Sequence, residues 1–267
     1  MIKAIVAGPA GRMGGRIIHM LADAQDIVLA AAFEKAGHPA VGKDVGEVVG
    51  LAGTPIKIAG SLTEVLDAGD VLIDFTHPEV SLDNLTQAIK AGKGVVIGTT
   101  GFSAAQLETI KKLAKDGRVV LAPNMSVGVN LMFKVVADIA RILSTGYDIE
   151  IVEAHHRLKK DAPSGTAMKL AQVIADALSR NLDDVAVYER HGMIGQRTDA
   201  EIGIQTLRAG DIVGEHTVMF GGIGERLEII HRAHNRDNFA RGAVRAAHWL
   251  VTQPQGLYDM QDVLGLK

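Results

Sequence analysis

Cysteine is absent from the 267 residues. Disulfides, thiolate catalysis and cysteine-ligated metals are thereby excluded, and the composition fits a reducing compartment, with the cytoplasm as the default location. The chain also lacks a long apolar run: the longest, Ile27 to Phe33, is too short to cross a bilayer. It passes directly into Ile2-Lys3-Ala4-Ile5-Val6 with no signal-peptide pattern, so neither secretion nor membrane insertion is expected. Positive charge is not in excess. The formal net charge is −3 and the basic residues are scattered, which offers no broad field to nucleic acid or an acidic membrane and leaves a small molecule as the expected partner. No internal repeat or low-complexity stretch occurs. What is present is a hydrophobic fraction of 47% against 22% charged residues. This is a globular composition able to bury a sizeable core, at a length that suits two domains.

Ile2 to Ala7, Ile27 to Phe33, Val71 to Phe75, Val95 to Ile97 and Val119 to Ala122 read as buried parallel strands. Between them, segments beginning near Gly11, Ser61, Pro78 and Ser103 carry helix-spaced apolar residues, and several open on Ser or Pro, which favour helix entry. This alternation predicts an α/β half built on a Rossmann-type, doubly wound parallel sheet. After Asn124 the pattern changes. A helix from about Val129 to Leu143 leads into Tyr147 to Glu153, which alternates like a strand with one exposed face. Ile202 to Leu207, Val213 to Phe220 and Arg226 to His231, separated by Gly/Asp turns, suggest antiparallel strands, and Asp183 to Ile202 reads as a long loop. This half is expected to be an α+β domain on a mixed or antiparallel sheet. The last helix, roughly Asn238 to Leu250, has apolar spacing suited to packing back on the first half. The expected domains are residues 1–126 with 236–267, and residues 127–235.

Gly8-Pro9-Ala10-Gly11-Arg12-Met13-Gly14 follows the first strand and opens the first helix, where unpaired backbone N–H groups meet a dinucleotide pyrophosphate. The glycines permit a tight turn and close approach of phosphate, and Arg12 adds a charged donor. Such a loop also occurs in strand–helix turns that bind nothing; it gains meaning from Glu34, 20 residues after Gly14 at the end of the second strand. A carboxylate there accepts hydrogen bonds from the adenosine ribose of NAD, whereas a cation at the adjacent Lys35 pairs with the 2′-phosphate of NADP. The pair points to use of both NADH and NADPH. Asp74-Phe75-Thr76-His77-Pro78, Gly98-Thr99-Thr100-Gly101 and Ala122-Pro123-Asn124-Met125-Ser126 each lie just beyond a strand, on the edge where open α/β sheets bind ligands. They are candidates for the nicotinamide side of the site, or ordinary turns.

The segment Glu153-Ala154-His155-His156-Arg157-Leu158-Lys159-Lys160-Asp161-Ala162-Pro163-Ser164-Gly165-Thr166 gathers two histidines, several cations and a helix start. Leu170, Val173, Ile174, Ala177 and Leu178 fall on one helical face, so Pro163-Ser164-Gly165 marks an amino terminus, with Ser164 its cap. Such an end attracts carboxylates. With the Thr166 hydroxyl, the N–H groups near Gly165 and Thr166, and Lys159 or His156, a dicarboxylate can be held by both ends, leaving His155 to move protons. A metal reading fails, because adjacent histidines on a strand point to opposite faces and no third ligand follows at a recognisable spacing. A solvated basic loop is the plainer alternative.

These segments, together with Asn124-Met125-Ser126-Val127-Gly128-Val129-Asn130 and Arg208-Ala209-Gly210-Asp211-Ile212-Val213-Gly214-Glu215-His216, occur in the order found in 4-hydroxy-tetrahydrodipicolinate reductases. The chain resembles that family over nearly its whole length. The histidine segment is specific to it; the glycine loop is not. The resemblance implies hydride transfer from NADH or NADPH to a cyclic imine dicarboxylate in lysine and diaminopimelate biosynthesis. It implies that His155 is the proton donor/acceptor, Lys159 a second proton donor, and His156, Gly165 and Thr166 the substrate-binding set. Gly8, Pro9, Ala10, Gly11, Arg12, Met13, Glu34, Lys35, Gly98, Thr99, Thr100, Ala122, Pro123, Asn124 and Met125 form the cofactor set, and a homotetramer assembled through the second domain is implied. Two departures bear on cofactor choice. Pro9 removes one N–H from the loop, and Lys35 stands where some relatives carry arginine. A related dehydrogenase acting on another oxo acid would not need the His155-His156-x-x-Lys159 segment, and a nicotinamide-sensing regulator would not need a proton donor.

Overall fold

Apolar strands flanked by amphipathic helices bury themselves only in a sheet covered on both faces. Strand β1 (Ile2–Ala7) turns sharply into α1 (Arg12–Ala22), followed by β2 (Ile27–Phe33), the single turn α2 (Val45–Val49), the short β3 (Ile58–Ala59), β4 (Val71–Asp74), α3 (Pro78–Lys90), β5 (Gly94–Ile97), α4 (Ala104–Leu113) and β6 (Arg118–Leu121). Then come α5 (Val127–Ile142), β7 (Asp148–His155), α6 (Gly165–Ala177), α7 (Leu182–Val185), β8 (Ala186–Val187), β9 (Ile202–Arg208), β10 (Gly214–Gly222) and β11 (Glu225–Ala233), and the chain closes with α8 (Asp237–Leu250), β12 (Gly256–Tyr258) and α9 (Met260–Leu264). The computed structural model describes residues 1–267, and they divide into two units, Met1–Val127 with Arg236–Lys267, and Gly128–Asn235.

In the first unit the strands form one parallel sheet in the order β12-β6-β5-β4-β1-β2-β3. Alternate residues of β1 and β4 enter opposite cores. Ala4, Val6, Val71 and Ile73 join the α1 and α8 side with Ile17, Leu21, Ala243 and Leu250, while Ile5 and Leu72 join Leu85 of α3 and Ile110 of α4. Arg16 of α1 grips Asp237 of α8 through two hydrogen bonds of 2.5 and 2.6 Å, so the carboxy-terminal segment is fastened to this unit by charge as well as by packing.

The helix expected to start near Ser61 is absent. Glu64 instead folds back to accept from the Ser61 hydroxyl (2.9 Å), and successive i→i−3 bonds, Val65 N–H to the Leu62 carbonyl and Ala68 N–H to the Val65 carbonyl (both 3.0 Å), tighten the segment into turns and a 3-10 stretch at Leu66–Ala68. Residues 60–70, all that separates β3 from β4, leave little room for a full helix.

The second unit holds a five-stranded sheet in the order β11-β10-β7-β9-β8. One face is covered by α5 and α6, whose Val129, Phe133, Val136, Leu170 and Ile174 pack on Ile149, Ile151, Ile202, Ile204, Val218 and Phe220. The sheet is mixed, and β9 and β10 run antiparallel to each other as expected. β9 and β10 do not form a hairpin, because β7 lies between them, antiparallel to β10 but parallel to β9. The Ala209-Gly210-Asp211 turn therefore passes over the end of β7, fastened by Ala209 N–H to the His155 carbonyl (3.0 Å) and Arg157 N–H to the Gly210 carbonyl (3.1 Å). The long loop also carries more structure than expected. It includes α7 and β8, and Arg190 and Arg197 anchor its remainder to Glu150 and Glu201.

Candidate active site

Because every strand of the first sheet runs the same way, the residues that follow β1, β2, β4, β5 and β6 lie along one edge. Gly8, Glu34, Thr76, Gly98 and Ala122 are thus brought to that edge, and β1 and β4 are the neighbours at which the strand order reverses. The loop after β1 is built for close approach. Gly8 has φ +65°, and a Cβ on Gly14 would lie 2.0 Å from the Gly8 carbonyl oxygen, so the start of α1 is pressed against the loop. Gly11 caps α1 without a side chain, so no side-chain acceptor covers the first-turn amides. Glu34 reaches back to accept from Ala10 N–H at 3.1 Å, which joins the carboxylate at the end of β2 to the glycine loop. Arg12, Lys35, Thr100 and Pro123 are exposed. These features fit a dinucleotide: free helix-start donors, a loop that admits phosphate, and a carboxylate beside a cation.

Other members of the cofactor set present backbone or stay within the protein. Thr99 is buried, with its hydroxyl 2.7 Å from that of Ser81, and Met125 belongs to the core beneath α8. Asp74 is fully buried. It accepts from the Thr76 amide (2.8 Å), the Thr76 hydroxyl (2.6 Å) and the Asn84 side chain (2.8 Å), so its role is to shape the turn after β4.

In the second unit the apolar row of β7, Ile149 and Ile151, continues along the same face as Glu153 and His155. The register places Thr206 and His216 beside Glu153, and Arg208 beside His155. Glu153 is wholly buried and its carboxylate accepts five hydrogen bonds: His155 Nδ1 (2.6 Å), Arg208 Nη1 (2.8 Å) and Nη2 (2.9 Å), the Ser164 amide (2.9 Å) and the Thr206 hydroxyl (3.2 Å). Burial alone would raise its pKa, but the bonds from His155, Arg208 and Ser164 hold it down at about 2. His216 is also buried, edge-on to the His155 ring at 5.2 Å and 75°, with Nε2 3.1 Å from the Ser164 hydroxyl. Burial, reinforced by repulsion from His155, pushes His216 down to about 3, so it is neutral at any working pH.

Ser164 caps α6 by accepting from Ala167 N–H at 3.2 Å. Gly165, the first residue of the helix, is exposed, and a Cβ there would meet open space, so nothing in the protein demands glycine at this position. His156 Nδ1 is buried without a partner. Lys159 is mostly buried and pairs at 2.9 Å with the largely exposed Asp161, a contact weak enough to yield to a ligand carboxylate. The structure therefore brings His155, His156, Lys159, Gly165 and Thr166 into the one unit, around the end of β7 and the start of α6.

Comparison with known proteins decides the family. Residues 2–125 match the profile described as "Dihydrodipicolinate reductase, N-terminus", and residues 128–264 match "Dihydrodipicolinate reductase, C-terminus". The chain belongs to the dihydrodipicolinate reductase family. It is 58% identical, over the full length of both chains, to the 4-hydroxy-tetrahydrodipicolinate reductases of Syntrophobacter fumaroxidans and of Syntrophus aciditrophicus. Among solved structures it resembles dipicolinate-bound dihydrodipicolinate reductase from Paenisporosarcina sp. TG-14, with a TM-score of 0.77 and 27% identity over 98% of each chain. As a dihydrodipicolinate reductase family member it is a pyridine-nucleotide oxidoreductase with a Rossmann-type domain and a second, mixed-sheet domain. The sequence motifs give no role to the support behind His155: Glu153, Arg208, Thr206 and His216. The period-two spacing of Glu153 and His155 was a visible signal; the cross-strand partners were not.

Proposed function

We propose that the chain reduces the cyclic imine dicarboxylate 4-hydroxy-tetrahydrodipicolinate to tetrahydrodipicolinate, using NADH or NADPH, in lysine and diaminopimelate biosynthesis. The observation that carries this reading is His155, held through Nδ1 by a fully buried, ionised Glu153 beside the start of α6. The nicotinamide supplies hydride from C4 when bound. His155 supplies the proton that must accompany the hydride, the 4-hydroxyl leaves as water with a hydrogen from the neighbouring ring carbon, and Lys159 serves as second donor and as a charge for one substrate carboxylate. His156, Gly165 and Thr166 receive the dicarboxylate: the unpartnered His156 Nδ1 and the open space beside Gly165 are the kind of vacant contacts a ligand fills. Dipicolinate, a planar dicarboxylate, bound to a relative at 27% identity agrees with that chemistry.

The cofactor set proposed is Gly8 to Met13, Glu34 and Lys35, Gly98 to Thr100 and Ala122 to Met125, within the domain of residues 1–126 and 236–267. The substrate and oligomer contacts belong to residues 127–235. A homotetramer built through the second sheet is supported by its face opposite α5 and α6, where the row Ile230, Thr217, Val152 and Gln205 is not covered by those helices. We place the enzyme in the cytoplasm, where reduced nicotinamide and biosynthetic substrate are supplied.

The test is loss of reduced-nicotinamide absorbance when the protein meets freshly condensed pyruvate and aspartate semialdehyde, run separately with NADH and NADPH. Rapid oxidation is expected with both. No oxidation from protein shown to bind NADH would overturn the assignment in favour of a related dehydrogenase or a sensor. Lys35→Ala is expected to raise the KM for NADPH more than that for NADH, by roughly tenfold for a lost charge-assisted contact with phosphate. Equal effects on the two cofactors would remove Lys35 from the 2′-phosphate site.

A further inference from the structure

We infer that Glu153 is the positioning residue of the reaction: its buried carboxylate fixes the tautomer of His155, with the hydrogen on Nδ1 in the neutral ring, so that Nε2 is the atom that exchanges the proton. The inference rests on the reading of His155 as proton donor and deepens it. An ionised carboxylate has no hydrogen to give, so in the 2.6 Å contact the Nδ1–H must donate to Glu153 Oε2. The other lone pairs of that carboxylate are already occupied by Arg208, Ser164 and Thr206, which hold it in one orientation. The ring is fixed on two further sides. His216 meets it edge-on at 5.2 Å, and Gly214 of β10 lies so near that a Cβ there would be 3.1 Å from Nε2. The imidazole is thus held by its Nδ1 edge and by its neighbours, and Nε2 is the nitrogen left to chemistry. A carboxylate ordering a histidine in this way costs activity when lost because the wrong tautomer is presented, even where geometry survives.

Glu153→Gln tests this. The amide keeps the size of the side chain and can still accept from Arg208 or Ser164, but it can also donate to Nδ1 and so favours the Nε2–H form. In 15N-histidine spectra at a pH where His155 is neutral, with the resonance assigned by its absence from His155→Ala, the wild-type ring is expected to show a protonated Nδ1 and an unprotonated Nε2. E153Q is expected to shift the ring toward the opposite tautomer. Its kcat should fall roughly 10²–10³-fold, with KM and NADH affinity within about threefold of wild type. A wild-type ring protonated on Nε2 instead of Nδ1 overturns the inference, and this result needs no folded variant. So does an E153Q protein whose tautomer shifts while kcat stays unchanged, or whose kcat falls with the tautomer intact. Failure of the functional assignment looks different: wild-type protein with the expected tautomer and no imine reduction.

Discussion

Replacing His155 by alanine is expected to lower turnover roughly 10²–10⁴-fold while leaving affinity for reduced nicotinamide nearly unchanged. The magnitude is that of a lost general acid, and its confinement to kcat follows from where the contacts lie. His155 belongs to the second unit and touches Glu153, His216 and the Gly214 backbone region, whereas the glycine loop, Glu34 and Lys35 belong to the first. The fold should tolerate the change. Glu153 keeps Arg208, Ser164 and Thr206, so one hydrogen bond is lost from a satisfied carboxylate, at a cost of about 1 kcal/mol. Steady-state turnover alongside NADH titration by fluorescence checks both halves. Unchanged turnover removes His155 from the mechanism, and a parallel loss of NADH binding would mean damage beyond proton transfer.

How far residues spoke for themselves varied with the range of the interaction. Runs such as Ile2–Ala7 and Val71–Asp74 were legible because a strand buried on both faces must be apolar throughout, and the glycine loop because it follows such a strand at once. Short elements were missed although some carried signals: α2 has Asp44 accepting from Gly46 N–H and a left-handed Gly50 at its end, and α9 has a capping box between Asp259 and Asp262. β12 has three residues and gains its strand character only by pairing with β6, with Gly256 set against Arg118, 138 positions earlier in sequence. The same limit governs the site. His155 and Glu153 stand two apart on one strand and share a face by local geometry, but Arg208 and His216 reach Glu153 only through the pairing of β7 with β9 and β10. Nothing in the runs themselves says that β7 lies between β9 and β10.

Arg208→Ala is expected to destabilise the second unit on the order of 3 kcal/mol at neutral pH, because it leaves the buried Glu153 charge without its main counter-ion. For a unit of this size that is a fall of roughly 10 °C in melting temperature. Arg208 is 19% exposed and also donates to the Leu207 and Asp161 carbonyls, so part of the loss is hydrogen bonding that pH does not touch. The remainder has a sign that can be worked out. Glu153 falls from its ordinary 4.5 to about 2 in the folded protein, so its ionisation contributes stability that is fully present above about pH 4.5 and is lost as pH drops toward 2. Without Arg208 that depression shrinks, because burial is then opposed only by His155 and Ser164, so the variant has less of this stability to lose. The gap between wild type and variant should therefore be widest above pH 5 and narrow progressively toward pH 2. His216 adds an acid-sensitive contribution of its own, since its value falls from 6.5 to about 3 and the unfolded chain takes up the proton first. That contribution is common to both proteins and cancels to first order in the difference. Urea unfolding of the two proteins from pH 7 to pH 3 separates the cases: a narrowing gap follows from the ion pair, whereas a gap constant across this range would assign the whole effect of Arg208 to packing and carbonyl contacts and deny Glu153 its counter-ion.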